Sequence, residues 1–268
     1  MLQHWNVIRP LMEAVAPATI LEVGVAAGGT TARLLEYAEQ SDAVVHGIDP
    51  VPAAAVDELV ERHPERFILH RGRSLDVLPM LGPVDCALID GDHNWYTVVN
   101  ELRLLAAAAE ERRFPLGFIH DVGWPYGRRD TYFEPDAIPA EFRHPIARGG
   151  ILPGRRVLAA DGPGLNPGGC YAEQQGTERN GVLTGVEDFV RESEIDFTLS
   201  IVVGFAGLGV LVSMDRLEAN PVLAERLAFL DSAEFLAGQC RRIELARNWA
   251  RATRRKPREV SAPTAGAA

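Results

Sequence analysis

The sequence predicts a doubly wound α/β fold on a parallel sheet, and three observations carry that expectation. Strand-like and helix-like patterns alternate from residue 5 to residue 120, the rhythm of stacked βαβ units. The strand-like segments are short continuous apolar runs, as in sheets buried on both faces. The first of them ends in a small-residue turn and passes at once into an amphipathic pattern, ILEVGVAAGGTTARLLEYA over 20–38.

Taken in order, residues 5–15 read as a leading helix, followed by a strand at 19–24 and a helix at 29–39. A strand at 43–48, a helix at 53–62, a strand at 66–70 and a short helix at 74–80 come next. The fourth strand spans 84–90, an alanine-rich helix 94–112 and a fifth strand 114–120. The rhythm then breaks. Residues 121–180 are rich in Gly and Pro and lack periodicity, the mark of a lid or binding-loop insertion. NGVLTGVEDFVRES restores a helix. The run TLSIVVGFAGLGVLVSM is cut by Gly204, Gly207 and Gly209, so it reads as a hairpin over 198–213 and not as a membrane span. Residues 220–256 form one or two amphipathic helices with Leu223, Leu227 and Leu230 on one stripe, which pack on the sheet or against a second subunit in a homo-oligomer. The expected organisation is one domain over 1–219 with its lid at 121–180, a helical extension at 220–256 and a disordered tail at 257–268.

Bulk composition narrows the function. Hydrophobic residues make up 47% and charged residues 24%, enough to build a core without staples in a soluble domain. A net charge of −10 argues against nucleic-acid binding, which needs a basic face. The run Arg241, Arg242, Arg247, Arg251, Arg254, Arg255, Lys256 and Arg258 reads as a solvated helix end or as a contact for an acidic partner. Three scattered cysteines, with neither signal peptide nor membrane span, point to a cytoplasmic protein without disulfides.

The turn at 24–31 is where chemistry is expected. A phosphate-gripping P-loop would end in Gly-Lys-Ser/Thr, but this one ends Gly29-Thr30-Thr31. Gly24, Ala26 and Gly29 imitate a dinucleotide fingerprint, and Asp49 stands 20 residues later where a carboxylate takes ribose hydroxyls. Those signals fit NAD or another adenosyl cofactor. Glu22, near the end of the first strand, could orient the turn or meet a cationic ligand. Asp49, Asp90 and Asp121 each end a strand, so all three should crowd the rim where open α/β sheets bind ligands.

ILEVGVAAGGTT, the acidic HGID and CALIDGDHNWYTVVNEL resemble the class I S-adenosylmethionine-dependent methyltransferases. Within them they are most similar to the small-molecule branch of catechol, macrolide-sugar and rhamnosyl O-methyltransferases. The resemblance extends over residues 5–121 and, more loosely, over NGVLTGVEDF and the hairpin. It implies a Rossmann-like seven-stranded sheet with an antiparallel last strand. It also implies S-adenosyl-L-methionine as cofactor, with Glu22, Gly24 and Gly28 lining its methionine half and Thr30 or Thr31 near its carboxylate. For the two threonines, capping the helix start is the competing role. Asp49 would hold the ribose, and Ser74 and Leu75 the adenine, although Arg73 stands where many relatives are acidic.

By the same resemblance Asp90, His120 and Asp121 are candidate ligands of a divalent metal. The histidine suits manganese, iron or zinc better than magnesium. Alternatively His120 is a base, or merely a histidine at a strand end. His93 is either the catalytic base or, like Asp90, a cofactor contact. Asp92 would fix its tautomer or cap a helix, and Trp95 and Tyr96 would cover the adenine or pack in the core. In the lid, Trp124, Tyr126, Arg128, Arg129 and Asp130 are candidate substrate contacts, and paired arginines suit a phosphate or carboxylate. An internal salt-bridge knot is the rival. Tyr126, Tyr132 and Phe133 could wall a ring. The function expected is methyl transfer to a hydroxyl of a small-molecule acceptor, a sugar or other natural product. Amine methylation is the alternative. An NAD-binding oxidoreductase, for which no Tyr-x-x-x-Lys pair is present, and an inactive binding module stand as rivals from other classes.

Overall fold

The computed structural model describes residues 1–109, 113–160 and 163–253. Its core is a seven-stranded sheet formed by β1 (Thr19–Val23), β2 (Val44–Ile48), β3 (Phe67–His70), β4 (Cys86–Ile89), β5 (Leu116–His120), β8 (Phe197–Val202) and β9 (Leu208–Ser213). The order across the sheet is β3-β2-β1-β4-β5-β9-β8. Strands β1 to β5 are parallel, whereas β9 runs antiparallel between β5 and β8. The doubly wound sheet with an antiparallel last strand is therefore as the sequence led us to expect. The chain reverses its direction of travel at β1, which has β2 on one side and β4 on the other. That is the switch point where a crevice opens outside the strand ends.

Eight of the helices follow the sequence pattern. On one face α1 (Trp5–Val15), α2 (Gly29–Ser41), α3 (Ala55–Arg62) and α8 (Pro221–Phe229) bury Ile8, Leu11, Leu34, Leu35, Val56 and Leu223. On the other, α4 (Ser74–Val77), α5 (Trp95–Ala108) and α6 (Val182–Glu192) bury Val77, Val98, Leu102, Val186 and Phe189. The helix α7 (Met214–Ala219) directly follows β9 and was not foreseen. It stops at Asn220, whose side chain accepts from Leu223 N at 3.0 Å and so starts α8, with Pro221 in its first turn. Leu223, Leu227 and Leu230 join the core of their own chain. The stripe is thus spent intramolecularly, and α9 (Ala233–Thr253) leaves Leu245 and Trp249 exposed. Residues 110–112 of the expected fifth helix, Arg254, Arg255, Lys256, Arg258 and the tail at 257–268 lie outside the described residues.

The insertion has little regular structure, with β6 (Ile146–Ala147) and β7 (Tyr171–Ala172) pairing antiparallel. Among the described residues no helix is long and apolar enough to cross a membrane.

Candidate functional site

The turn after β1 is shaped by proximity. Gly24 has φ +91°, and a Cβ there would lie 2.2 Å from the carbonyl oxygen of Asp90. Only glycine lets the first and fourth strand tips close up in this way. Gly28 is also left-handed, at φ +77°, as it enters α2. Asp49, just beyond β2, accepts from Ala26 N and Val51 N, both at 2.8 Å. Each carboxylate oxygen is held by one backbone donor and keeps lone-pair capacity for another. The cradle therefore fits an adenosyl cofactor, with lone-pair capacity left on Asp49.

Other candidates have different employment. Glu22 and Thr31 are buried, and the Thr31 hydroxyl donates to Glu22 Oε2 at 2.6 Å. Burial raises the Glu22 carboxyl to about 8, with the Thr31 bond opposing. The pair ties α2 to β1, the turn-orienting role that the sequence also allows for Glu22. Thr30, partly exposed in the first turn of α2, is the threonine still available. Ser74 at the start of α4 donates to Glu101 Oε1 at 2.5 Å, and half-buried Leu75 follows it. Arg73 is an exposed charge paired with Asp76 at 2.8 Å. Trp95 packs in the core, its indole donating to Asp188 at 2.7 Å, and Tyr96 stacks on Phe142. Asp92 accepts from Thr97 Oγ1 at 3.0 Å and from Asn94, which itself caps α5.

The second half of the site lies at the tips of β4 and β5. His120 Nδ1 is 2.9 Å from Asp90 Oδ1 and 3.0 Å from Asp121 Oδ2. His93 Nε2 is 3.0 Å from Asp121 Oδ2 and 3.5 Å from Asp90 Oδ1. Two carboxylates and two imidazoles thus alternate in one cluster. Burial alone would lower His93, but bonds to Asp121 and Asp90 raise it to about 10. His120 rises to about 9 for the same reason. Burial would lift Asp121, yet the two histidines bring it down to about 2, and they hold Asp90 far below the carboxylate range. Each carboxylate therefore favours the charged form of the imidazoles beside it, and each imidazole that of the carboxylates. Asp121 sits at φ +59°, an uncommon backbone state for a non-glycine residue, and its carboxylate meets both histidines.

Asp90, His120 and Asp121 each offer a ligand atom within 4.8 Å of the others. One imidazole nitrogen and two carboxylate oxygens fit a first-row transition ion. Two further groups reach the cluster without any signal in the sequence. The amino nitrogen of Met1 is 3.1 Å from Asp90 Oδ2, and buried His4 shares the Phe205 carbonyl with His120. Glu101 was also overlooked, and here a signal existed, a lone carboxylate in the apolar stripe of α5.

The lid sorts its charges differently. Arg129 is wholly buried, its Nη1 donating to Ala172 O and Glu173 O and its Nη2 to Arg156 O. Asp130, equally buried, accepts from Trp95 N at 2.7 Å, Gly181 N at 2.6 Å and the Tyr132 hydroxyl at 3.0 Å. Both hold the framework together, a correction to their reading as substrate contacts. Arg129 does so through carbonyls and not through an ion pair. Arg128 clamps Glu187 of α6 at 2.5 and 2.7 Å. Tyr132 is buried and cannot form a wall. Tyr126 stacks on His93 at 5.4 Å, and exposed Phe133 lies 6.0 Å from the same ring. Trp124, 44% exposed, borders a cavity of about 440 Å³.

A family described as a methyltransferase domain matches residues 21–113. No curated protein matches the sequence. Among solved structures, an S-adenosylhomocysteine-bound methyltransferase of Podospora anserina is similar, with 15% identity and a TM-score of 0.49 over 80% of this chain and 78% of that one. A putative caffeoyl-CoA O-methyltransferase from Staphylococcus aureus shows 15% identity and a TM-score of 0.48 over 78% and 81%. A 1,6-didemethyltoxoflavin N1-methyltransferase from Burkholderia thailandensis shows 18% identity and a TM-score of 0.39 over 78% and 80%. The match at 21–113 spans the glycine turn, Asp49, Asp90 and His93, and over these residues the chain is similar to a methyltransferase domain.

Proposed function

We propose that the chain transfers the methyl group of S-adenosylmethionine to a hydroxyl of a small molecule, a sugar or another natural product. The observation that supports this best is the juxtaposition at one rim of a glycine turn, a half-free Asp49 and the Asp90–Asp121 cluster. Gly24 and Gly28 admit the methionine half, Thr30 faces its carboxylate, Asp49 takes the ribose, and Ser74 and Leu75 flank the adenine. A divalent ion held by Asp90, His120 and Asp121 would bind the acceptor oxygen and lower its pKa. His93, braced by both carboxylates and by Tyr126, accepts the acceptor's proton once those carboxylates share their charge with another cation. The rest of the protein's work is alignment and exclusion of water.

Calorimetry with S-adenosylmethionine and, separately, with NAD tests the cofactor. Heat with NAD alone would end this reading. Transfer from isotopically labelled S-adenosylmethionine to a panel of hydroxyl acceptors, with and without EDTA, tests the metal. Undiminished turnover in EDTA would show that Asp90, His120 and Asp121 act without an ion.

A further inference from the structure

The open cavity beyond β5 includes Val122 and Gly123, the residues that follow Asp121, and is lined also by Trp124, Arg128, Arg156 and Gln175. Its two guanidinium groups are not equivalent. Arg128 is neutralised by the bidentate clamp on Glu187. The Arg156 side chain is exposed and has no ion pair or hydrogen bond to any described residue. Its backbone, by contrast, is pinned twice. The carbonyl of Arg156 accepts from the buried Arg129 Nη2 at 2.6 Å and from Gln175 N at 2.9 Å. A buried arginine is costly to desolvate, and here it fixes the position from which a free arginine projects. The same cavity is lined by Trp124, an indole exposed enough to stack on a ring.

We infer that this cavity is an acceptor site for a ring that carries an anionic group, with Arg156 gripping the anion and Trp124 covering the ring. The inference rests on the methyltransferase reading and adds the chemical class of its acceptor. A free guanidinium in a chain of net charge −10 is suited to a bidentate bond with phosphate or carboxylate. A neutral ring would leave the Arg156 guanidinium without an anionic partner.

Titration calorimetry on the full chain with glucose 1-phosphate, glucuronate and methyl glucoside separates the possibilities, because the ring is similar and the head group changes. At least one anion should bind roughly tenfold or more tighter than the neutral glycoside, and the better of the two identifies phosphate or carboxylate as the source. Arg156→Gln should erase that preference with an unchanged melting temperature, and Arg156→Lys should restore part of it. Equal affinities for all three probes, no measurable binding of either anion at millimolar concentration, or a preference that survives Arg156→Gln would each overturn the assignment. Heat with S-adenosylmethionine but no anion preference would sink this inference alone. Anion preference without that heat would sink the methyltransferase reading and leave the anion site standing.

Discussion

The rim at the strand ends and the lid above it are built from the same residue types, carboxylates, imidazoles, guanidiniums and aromatic rings, yet use them in opposite ways. In the rim, Asp49 keeps spare acceptor capacity, and Asp90 and Asp121 are balanced only by groups that can lose a proton. In the lid, Asp130 is held by two backbone amides and the Tyr132 hydroxyl, and Arg129 gives both terminal nitrogens to backbone carbonyls. The lesson is that a charged residue beside an active site is informative only once its partners are counted. A buried charge with a full set of backbone bonds is architecture.

Four substitutions would break or sharpen this contrast. The largest effect is expected from Asp130→Ala, which leaves three donors without their acceptor in a buried place. It should cost about 3–5 kcal/mol of stability in urea unfolding, with cofactor affinity in the surviving folded fraction unchanged. A loss of affinity without loss of stability would move Asp130 from framework to site. Next, Gly24→Ala forces a Cβ against the Asp90 carbonyl in a left-handed conformation. It should cost about 1–3 kcal/mol and abolish the heat of S-adenosylmethionine binding. A normal titration would mean that the turn does not touch the cofactor.

A smaller, pH-dependent effect belongs to Glu22. Its folded carboxyl keeps a proton up to about 8, against 4.5 in the unfolded chain. Its contribution is therefore fully present below pH 4.5 and is lost as pH rises toward 8, at no more than about 1.4 kcal/mol per pH unit. Glu101, also raised to about 8 by burial, should behave in the same way. Glu22→Gln should accordingly flatten the fall in stability across that window, and an unaltered slope would show that Glu22 is ionised when folded. The smallest effect is at the surface. Arg128→Gln removes an exposed clamp on Glu187 and should change stability by less than about 1 kcal/mol, as measured by thermal melting. A larger loss would make Arg128 part of the lid's framework.

Much of this was legible in the chain. The apolar runs at 19–24, 43–48 and 84–90 had only to be short and unbroken to declare buried strands. Asp49, Asp90 and Asp121 had only to follow such runs to be placed on a common edge. Short-range signals of this sort depend on period and punctuation, which the sequence carries itself. The fate of Thr31, Arg129 and Asp130 was not legible, because Thr31 answers a buried glutamate nine residues away and Asp130 answers an amide 51 residues away.

The sequence by itself determined the alternation of elements, the glycine turn and the set of acidic strand ends, since each follows from local steric and hydrophobic rules. Only the tertiary structure decided which charges are consumed and which stay free. It brought His93 and His120 between the same two carboxylates, buried Arg129 beneath Arg156, and joined Ser74 to Glu101. The physical reason is that the state of an ionisable group depends on the burial and partners supplied by distant segments, and those exist only after the chain has folded.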